Sequence, residues 1–423
     1  MTAPVTVDLM DPDLLRDPFH GYSRLRERSP MAQVVYGDRG SSLWIVTRYD
    51  DVRLVLGDRR FVNNPGNVPG MRIQDQRTEV FRAMGIDDRY APYLLRSVLD
   101  VDGDEHLRLR RLVSRAFSAR RVASLLPRVR EITGELLDRL PERASPQDGT
   151  VDLLEHFAYP LPITVICELV GIPEEDRGRW LEWSGALMRS HETENFTEAI
   201  RGIVDHVEAL VARRREEPAD DLLTALIGVH DEDGSALTEF ELVTMVLTIV
   251  LAGHETTAHL IGNGTVALLT HRDQLDLLRG DPAGLLPRAV HELMRWCGPV
   301  QGARFRYAAE DVEIGGKILR KGTPVMASLV AANYDPRRFD DPHRLDITRQ
   351  PDGRGETHVG FGHGLHYCLG AALARQEAEV AFGALFGRFP DLSLAVPPED
   401  LERIPTPGTW RLSTLPVRLT SAT

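Results

Sequence analysis

The sequence is poor in cysteine, in long apolar runs and in positive charge. Its 423 residues include three cysteines, too few and too scattered for a disulfide framework, which fits a reducing compartment. Lys and Arg number 50 against 63 Asp and Glu, a formal net charge of −13, which argues against non-specific nucleic-acid binding. No apolar run reaches the roughly 20 residues of a membrane span, and aspartates interrupt the N-terminal segment where a signal peptide would be apolar. We therefore expect a cytoplasmic protein with no membrane or nucleic-acid partner.

The hydrophobic pattern predicts a mostly α fold with a minor β portion. Ser42–Leu56 is typical of a strand followed by an aspartate-capped helix. Arg139–Gly149 is rich in turn residues and is expected to form a surface loop between two helical regions. Short β segments are expected within Asp311–Met326 and again near the C-terminus. Since we find no repeat or long linker, this pattern contains no sign of a second domain.

The longest predicted helix begins with a capping box of Thr238 and Glu241 and continues to about Thr270. At 1.5 Å per residue, it is a rod of roughly 50 Å. Its middle, VTMVLTIVLAG, is apolar on every side. That pattern predicts burial on all faces and a central position in the fold.

The motif HETTAH, His254 to His259, lies within this helix and comes close to the HExxH of zinc proteases. Its histidines are five residues apart, hence roughly 140° apart around the helix axis, and cannot bind one ion together. Burying a carboxylate is costly unless it has a partner, so we expect Glu255 to have a function. His254 is expected to be a pocket or structural residue.

A glycine-rich loop, THVGFGHGLHYCLG, leads Cys368 to the start of an Ala/Leu-rich helix. A helix N-terminus stabilises a thiolate, and glycines allow close backbone approach to sulfur. This arrangement suits an anionic sulfur ligand of a metal. Three histidines of the loop, His358, His363 and His366, make zinc a competing interpretation, although no CxxC-like spacing accompanies them.

The segment FGHGLHYCLG resembles FxxGxxxCxG, the haem-binding signature of the cytochrome P450 superfamily. Phe361, Gly364, Cys368 and Gly370 stand at its four fixed positions. AGHETT, residues 252–257, is similar to the family's AGx(D/E)TT segment, which crosses the distal face of the haem. The resemblance extends over essentially the whole chain and is strongest to soluble bacterial members that hydroxylate macrolides and related polyketides.

A second part of the resemblance concerns the family's structural network. HELMR gives the ExxR motif as Glu292 and Arg295, which share a helix face and can form an ion pair. FDDPHRLDITR is similar to the family's meander segment. There Arg344 matches the arginine that joins Glu292 and Arg295.

The resemblance implies a cytochrome P450 fold in a single haem domain, residues 1–423, with haem b held by Cys368 as the axial iron ligand. His106 and Arg110, four apart on one helical face, match positions that bind the haem propionates. The full set of cofactor-binding residues implied by the resemblance is His106, Arg110, Ala252, Gly253, Arg306, Phe361, His366, Cys368 and Gly370.

The catalytic residues implied are Glu255 as a proton relay and Thr256 as the hydroxyl that orients dioxygen and water. An alternative for Thr256 is a hydroxyl bonded back to its own helix. Gly253 is expected to leave room for dioxygen.

The substrate pocket implied by the resemblance is apolar, which suits a large lipophilic molecule such as a macrolactone, to be hydroxylated or epoxidised. Asp87 and Asp88 leave an amino-sugar anchor open. The expected lining residues are Val98, Leu99, Leu251, Ala252, Val300 and Thr409.

Electrons are expected from outside the chain, because it has no nicotinamide or flavin fingerprint. A ferredoxin and an NAD(P)H-dependent ferredoxin reductase are the implied partners, with O2 as co-substrate. Arg108, Arg111 and Arg115 lie off the propionate face of their helix and are expected to dock an acidic ferredoxin.

Alternative functions remain open at this point. They are a haem-thiolate enzyme that couples phenols or uses peroxide, a haem sensor or carrier, and, more distantly, a zinc hydrolase that uses HETTAH. Glu255 beside Thr256 favours dioxygen-driven oxygenation over the peroxide route.

Overall fold

The helices account for most of the residues in the computed structural model, which describes residues 4–36, 39–71, 76–188, 193–230, 234–350 and 356–419. In chain order they are α1 (Pro12–Arg16), α2 (Pro18–Arg28), α3 (Tyr49–Gly57), α4 (Gln76–Ala83), α5 (Ala91–Leu95), α6 (Gly103–Ala116), α7 (Ala119–Ser124), α8 (Leu126–Arg143), α9 (Pro160–Val170), α10 (Glu174–Met188), α11 (Thr193–Glu216), α12 (Leu222–Gly228), α13 (Glu239–Thr270), α14 (Arg272–Gly280), α15 (Pro282–Cys297), α16 (Leu329–Asn333) and α17 (Ala371–Arg388).

The strands are short and form two sheets and a hairpin. They are β1 (Thr6–Asp8), β2 (Met31–Tyr36), β3 (Arg39–Val46), β4 (Phe61–Val62), β5 (Thr150–Asp152), β6 (Arg306–Ala308), β7 (Val312–Ile314), β8 (Lys317–Leu319), β9 (Pro324–Ala327), β10 (Ser393–Leu394) and β11 (Pro416–Arg418). The larger sheet has the order β1-β2-β3-β9-β6-β4, the smaller β10-β11-β5, and β7 pairs with β8. The predicted fold class, mostly α with a minor β portion, is confirmed.

Helix α13 is the central element, as the sequence predicts. The Thr238–Glu241 capping box is present in full, and the helix ends at Thr270. By length and composition α13 could cross a membrane, but 56% of its apolar window is buried inside the protein. It packs against α9, α11, α15 and α17, which is the position of a core helix.

The burial of α13 is interrupted near its middle. Leu251 and Gly253 are only half-buried and Ala252 is exposed, whereas His254 and Glu255 directly after them are buried. A helix otherwise enclosed by apolar neighbours therefore presents an open face at one point. That point coincides with the AGHETT segment.

Two local predictions need correction. Ser42–Leu56 does form a strand and a helix, but Arg48 occupies the N-cap of α3 without a side-chain hydrogen bond. Instead, Asp335 accepts a hydrogen bond from the Tyr49 main-chain nitrogen at 2.9 Å. A carboxylate distant in sequence thus performs the capping that we expected from a local aspartate.

The loop expected at Arg139–Gly149 is shorter than predicted. Helix α8 continues through Pro141 to Arg143, and the chain then enters β5 rather than a second helix. Pro141 lies in the last turn, where its missing N–H removes one helical hydrogen bond, in keeping with the end of the helix two residues later. The loop therefore joins a helix to a strand.

The cysteine loop lies between two hydrophobic cores. Val359 belongs to the cluster built around the larger sheet and α3. Phe361, two residues later, belongs to the main helical cluster around α13. The loop is therefore fixed on both sides before it reaches Cys368.

Candidate active site

The cysteine loop has a backbone that side chains would obstruct. Gly364 has φ +75°, and a Cβ there would lie 2.7 Å from the Leu56 carbonyl oxygen. The Cys368 main-chain nitrogen donates to the Phe361 carbonyl at 2.9 Å. Helix α17 begins three residues later, with Gly370 at its N-cap. The loop thus holds Cys368 at a helix N-terminus, as the glycine pattern predicts.

Cys368 differs electrostatically from the other two cysteines. Burial raises the pKa of each thiol, to about 12 for Cys167 and Cys297. For Cys368, burial also raises the pKa, but the Gly370 main-chain N–H and the Arg110 charge oppose it. Both groups favour the thiolate form of Cys368. A bound metal would favour it further, because metal coordination deprotonates a thiol outright.

Basic side chains converge beside the cysteine loop from three separate parts of the chain. The rings of His106 and His366 lie 4.0 Å apart between centroids. Arg110 Nη2 donates to the Tyr367 carbonyl at 2.6 Å, and Arg306 Nη1 donates to a main-chain carbonyl of α3 at 3.2 Å. The structure therefore brings together the four residues predicted to bind propionates.

Burial is the main cause of the pKa shifts in this cluster, and neighbouring cations add to it at the two histidines. Burial lowers the pKa of Arg306 to about 10 and that of His366 to about 3, with nearby cations adding to the effect on His366. Burial, followed by the Arg110 charge, also lowers the pKa of His106. Its Nδ1 is buried without a hydrogen-bond partner among the described residues. A ligand with carboxylates would relieve this repulsion, so the residues fit the propionates of haem.

The loop histidines do not form the zinc site that the sequence left open. His366 Nε2 accepts from Asn63 Nδ2 at 2.6 Å. His363 lies 3.4 Å from an Arg53 nitrogen, and His358 Nε2 lies 3.1 Å from His291 Nδ1. The three imidazoles thus engage different partners and do not converge on one point.

One group among the described residues does have metal-ligand spacing, namely His291, Glu356 and His358. However, Arg375 forms an ion pair with Glu356, and the Gly360 N–H donates to His358 Nδ1 at 3.2 Å. Since a metal on Nε2 would require a proton on Nδ1, the Gly360 contact opposes metal binding by His358.

On the open side of α13, Glu255 has the partner that its burial requires. Arg411 Nη1 donates to Glu255 Oε1 at 2.7 Å, with both side chains largely buried. Arg411 Nη2 also donates to Thr406 Oγ1 at 2.9 Å. His259 Nε2 lies 3.7 Å from the same Glu255 oxygen. The second histidine of HETTAH is therefore a neighbour of Glu255, not a metal ligand.

The Glu255 carboxyl is held in its ionised form. Burial alone would raise its pKa, but the nearby His259 imidazole and the Arg411 guanidinium outweigh burial and lower it. The hydroxyl of Thr256 donates to the Ala252 carbonyl at 2.7 Å, which is the bond back to its own helix that we had weighed. That bond uses the hydroxyl proton and leaves the oxygen lone pairs free to accept.

Gly253 has a different surrounding from the one expected. A Cβ at this position would lie 3.3 Å from Ile166 Cδ1 of α9. The absent side chain therefore allows close packing of α13 on α9, and room for dioxygen at Gly253 is not what this geometry shows. Ala252, which is exposed, is the residue at the open face.

The ExxR pair is a buried two-pronged ion pair, with Arg295 Nε and Nη2 at 2.8 and 2.7 Å from the Glu292 oxygens. The third arginine is Arg349, whose Nε lies 3.2 Å from Glu292 Oε2. Arg344, the predicted one, contributes only its main-chain carbonyl, which accepts from Arg295. Its side chain is exposed. The prediction of Arg344 was wrong by five residues because the turn after Asp341 directs that side chain to the surface.

The predicted pocket residues lie in two groups. Val98, Leu99 and Leu251 all pack in the main helical cluster. Val300 and Thr409 pair as an antiparallel bridge. Val300 also packs against the cluster around the larger sheet, so the two groups belong to different parts of the core.

The arginines predicted to dock a ferredoxin are partly engaged within the chain. Arg108 forms an ion pair with Glu241 at the start of α13. Arg115 Nη1 donates to the His230 carbonyl at 2.6 Å. These contacts fix α6 against the start of α13 and the segment before it. Arg108 in particular is therefore a structural residue rather than a free docking cation.

A single cysteine in a glycine loop, a buried basic cluster beside it and an open face on a long central helix define the haem-thiolate class of protein. A model described as Cytochrome P450 matches residues 284–417. The chain is 42% identical over 417 residues to Cytochrome P450 107B1 of Saccharopolyspora erythraea, covering 98% of this chain and 97% of that protein.

A second relative from the same organism, 6-deoxyerythronolide B hydroxylase, is 42% identical over 424 residues, with 96% of this chain and 98% of that protein covered. The structure of the ligand-free P450 monooxygenase TamI superposes with a TM-score of 0.84 at 39% identity, covering 99% of this chain and 95% of that one. The chain belongs to the cytochrome P450 family.

Family membership confirms three predictions: the protein is a monooxygenase, its fold is the cytochrome P450 fold, and its cofactor is haem b. The zinc hydrolase alternative has no support in these comparisons. Sequence reasoning missed Arg411, Arg349, Asn63 and Tyr159. They contact Glu255, Glu292, His366 and His259, respectively, from distant segments. Arg349 ends the meander segment FDDPHRLDITR, and no motif assigned a role to the other three.

Proposed function

We propose that this monooxygenase inserts one oxygen atom of O2 into a lipophilic polyketide or macrolide, by hydroxylation or epoxidation, within a single haem domain formed by residues 1–423. The observation that carries the proposal is the open, apolar-lined face of α13 at Leu251 and Ala252, directly beside the buried Glu255 carboxylate and the Thr256 hydroxyl. The hydroxylase relative named after a macrolactone supports the substrate class.

The residues of this chain have separable functions in the proposal. The haem, when bound, supplies dioxygen activation, and Cys368 is its thiolate ligand. His106, Arg110, Arg306 and His366 bind the propionates by charge and hydrogen bonding. Phe361 and Gly370 shape the cysteine loop around the sulfur, and Ala252 and Gly253 bring the α13 backbone to the cofactor.

Protons reach the reacting oxygen through Glu255 and Thr256. Glu255 is ionised at rest because Arg411 and His259 stabilise its charge, so it can take up and release one proton per step. Thr256 Oγ1 accepts a hydrogen bond from a proton donor in the pocket, since its own proton is committed to Ala252.

The substrate is held by apolar contact in this proposal. Val98, Leu99, Leu251, Val300 and Thr409 line the pocket and favour a large hydrophobic ligand over a charged one. Asp87 and Asp88 are both exposed, so an amino-sugar anchor at these residues would lie at the protein surface.

Electron supply and location complete the proposal. Bacterial members of the family generally use a ferredoxin and its reductase, and we propose an NAD(P)H-dependent pair of this kind for the present protein. We also propose a cytoplasmic location, in keeping with its soluble relatives.

The proposal is tested by spectral titration of the ferric protein. Macrolactones and linear polyketides are expected to bind and shift the Soret band, while charged aromatic acids of similar mass should not. Product analysis by mass spectrometry should then show a gain of one oxygen atom from ¹⁸O2. Binding of the acids alone, or products joined by carbon–carbon bonds without added oxygen, would overturn the substrate and reaction class.

A further inference from the structure

The polar cluster behind Glu255 extends beyond the acid and the hydroxyl that the family motif supplies. His259 lies one helical turn after Glu255 on α13 and is 1% exposed. Its Nε2 is 2.9 Å from Tyr159 Oη and 3.7 Å from Glu255 Oε1. One imidazole nitrogen therefore faces both a hydroxyl and a carboxylate.

The three side chains Tyr159, His259 and Glu255 differ in burial. Glu255 and His259 are buried, whereas Tyr159, in the turn before α9, is only half-buried. The cluster thus extends from a partly accessible hydroxyl to a buried carboxylate beside the open face of α13. Tyrosine, histidine and glutamate can each both take up and release a proton, which is the chemistry that a relay needs.

Two further imidazole nitrogens in the cluster support a role in proton transfer rather than a purely structural role. Among the described residues, His254 Nε2 and His259 Nδ1 are buried without a hydrogen-bond partner. The His254 ring lies 5.6 Å from the Tyr159 ring. Buried polar atoms of this kind are normally satisfied by ordered water, so the cluster can hold water between the side chains.

We propose that Tyr159 and His259 form a proton-delivery branch that reprotonates Glu255 from the α9 side of the central helix. The inference rests on the proposed function, because it assigns the source of the protons that Glu255 passes on. It identifies His259 and Tyr159 as positioning and relay residues, and neither lies in the AGHETT motif.

The transfer is balanced in bonds and moves no electrons. With Nδ1 carrying the proton of the neutral imidazole, His259 Nε2 accepts the Tyr159 hydroxyl proton, and Tyr159 recovers one from a solvent acid. After Glu255 has released a proton, the N–H bond at Nε2 breaks and an O–H bond forms at Glu255 Oε1, which returns the imidazole to its neutral form. The 3.7 Å step exceeds hydrogen-bonding distance, so it proceeds through one water or a small rotation of the imidazole.

The charged groups around His259 favour its neutral form between proton transfers. Glu255 and His254 face it from α13, Tyr159 from the turn before α9, and Arg411 and Arg403 from the C-terminal segment. Burial and the two arginines lower the pKa of His259, while Glu255 opposes them. A neutral imidazole can pass a proton on without retaining it.

The test uses Tyr159→Phe, which removes one hydroxyl, and His259→Asn, which removes the relay nitrogen. Tyr22→Phe is the matched control, because it deletes a buried tyrosine hydroxyl in a different hydrophobic cluster. Each holoenzyme is first checked for the thiolate spectrum of its reduced carbon-monoxide form. Both relay variants are expected to turn over about tenfold more slowly, with a larger solvent deuterium isotope effect and more peroxide released. Tyr22→Phe should match the wild type.

A readout independent of turnover is the infrared titration of the Glu255 carboxyl in the resting enzyme, assigned by difference from Glu255→Gln. The titration midpoint should rise in His259→Asn and stay unchanged in Tyr159→Phe. A slow Tyr159→Phe enzyme with an unchanged midpoint would support a relay over a purely electrostatic effect.

Wild-type rates and isotope effects in both relay variants would overturn the proposal. A defect confined to His259→Asn would overturn the route through Tyr159. A wild-type protein without the thiolate spectrum would instead contradict the proposed function, which keeps the two failures distinct.

Discussion

The two sides of the candidate haem site are built differently. On the cysteine side, the ligand, its loop glycines and one of the basic residues lie within the 11 residues from Gly360 to Gly370. On the α13 side, the partners of Glu255 and His259 come from distant segments. Arg411 lies 156 positions from Glu255, and Tyr159 lies 100 positions from His259.

This difference reflects what each side must do. A metal ligand needs a fixed backbone, and a short loop with glycines at left-handed positions provides it locally. A buried carboxylate needs a compensating charge, which any nearby element of the fold can supply. The cysteine side is therefore encoded by a contiguous motif, while the α13 side depends on tertiary packing.

The largest effect is expected at the cysteine. Cys368→Ser should abolish turnover and the red-shifted carbon-monoxide spectrum, because a serine oxygen does not supply the electron donation of a thiolate ligand. Cys297→Ala, at a buried cysteine whose thiol bonds a carbonyl of its own helix, should retain both. If His254→Ala removed the iron while Cys368→Ser did not, the roles assigned to the two sides would be reversed.

The ExxR pair should produce the largest effect on folding. Arg295→Ala leaves the buried Glu292 carboxylate without its two-pronged partner and should lower the free energy of unfolding by about 3–5 kcal/mol. Arg295→Lys should rescue it only partly, because a lysine cannot reproduce the two parallel bonds. Denaturant unfolding of the holoprotein measures both, and full stability in Arg295→Ala would show that the pair is dispensable.

On the α13 side, the expected effect is on rate rather than folding. Glu255→Gln should slow product formation by about 10²-fold, with electrons diverted to peroxide. Thr256→Val should show the same diversion, and Thr256→Ser should largely restore product formation. The measurement is product formed per electron consumed, and tight coupling in Glu255→Gln would remove Glu255 from proton delivery.

Low pH should lower the free energy of unfolding through His254, which lies on the α13 side. Burial lowers the pKa of His254 to about 4 from an ordinary 6.5, with Glu255 opposing this effect and His259 adding to it. Below pH 6.5 the unfolded chain binds a proton that the folded one does not. The free energy of unfolding should therefore fall between pH 6.5 and 4, by at most about 1.4 kcal/mol per pH unit from this residue. His254→Phe should have a shallower slope, and an identical slope would indicate that His254 is charged when folded.

The smallest expected effect is a difference in stability between variants of Arg344 and Arg349, the two arginines of the meander segment. Arg344→Ala removes an exposed side chain and should change stability by less than about 0.5 kcal/mol. Arg349→Ala removes a contact with buried Glu292 and should cost about 1–2 kcal/mol. Equal values in thermal unfolding would contradict the assignment of Arg349 to the network.

Particular residues show which features of the structure the sequence predicts and which it does not. The capping box at Thr238 and Glu241, the buried central helix and the cysteine at a helix N-terminus were all predicted, because each depends on residues within a few turns. Arg344 was predicted in place of Arg349, since spacing does not show which arginine of an irregular segment faces the interior. The His259 contact with Glu255 was overlooked because HETTAH was judged only as a metal motif.

The sequence by itself determined the family, the iron ligand and the identity of the buried acid, because contiguous motifs carry all three. Only the tertiary structure decided which charges compensate that acid, which arginine completes the ExxR network and which hydroxyl approaches His259. Those contacts join segments separated by 50 to 160 residues, and chain spacing contains no information about such pairs until packing brings them together.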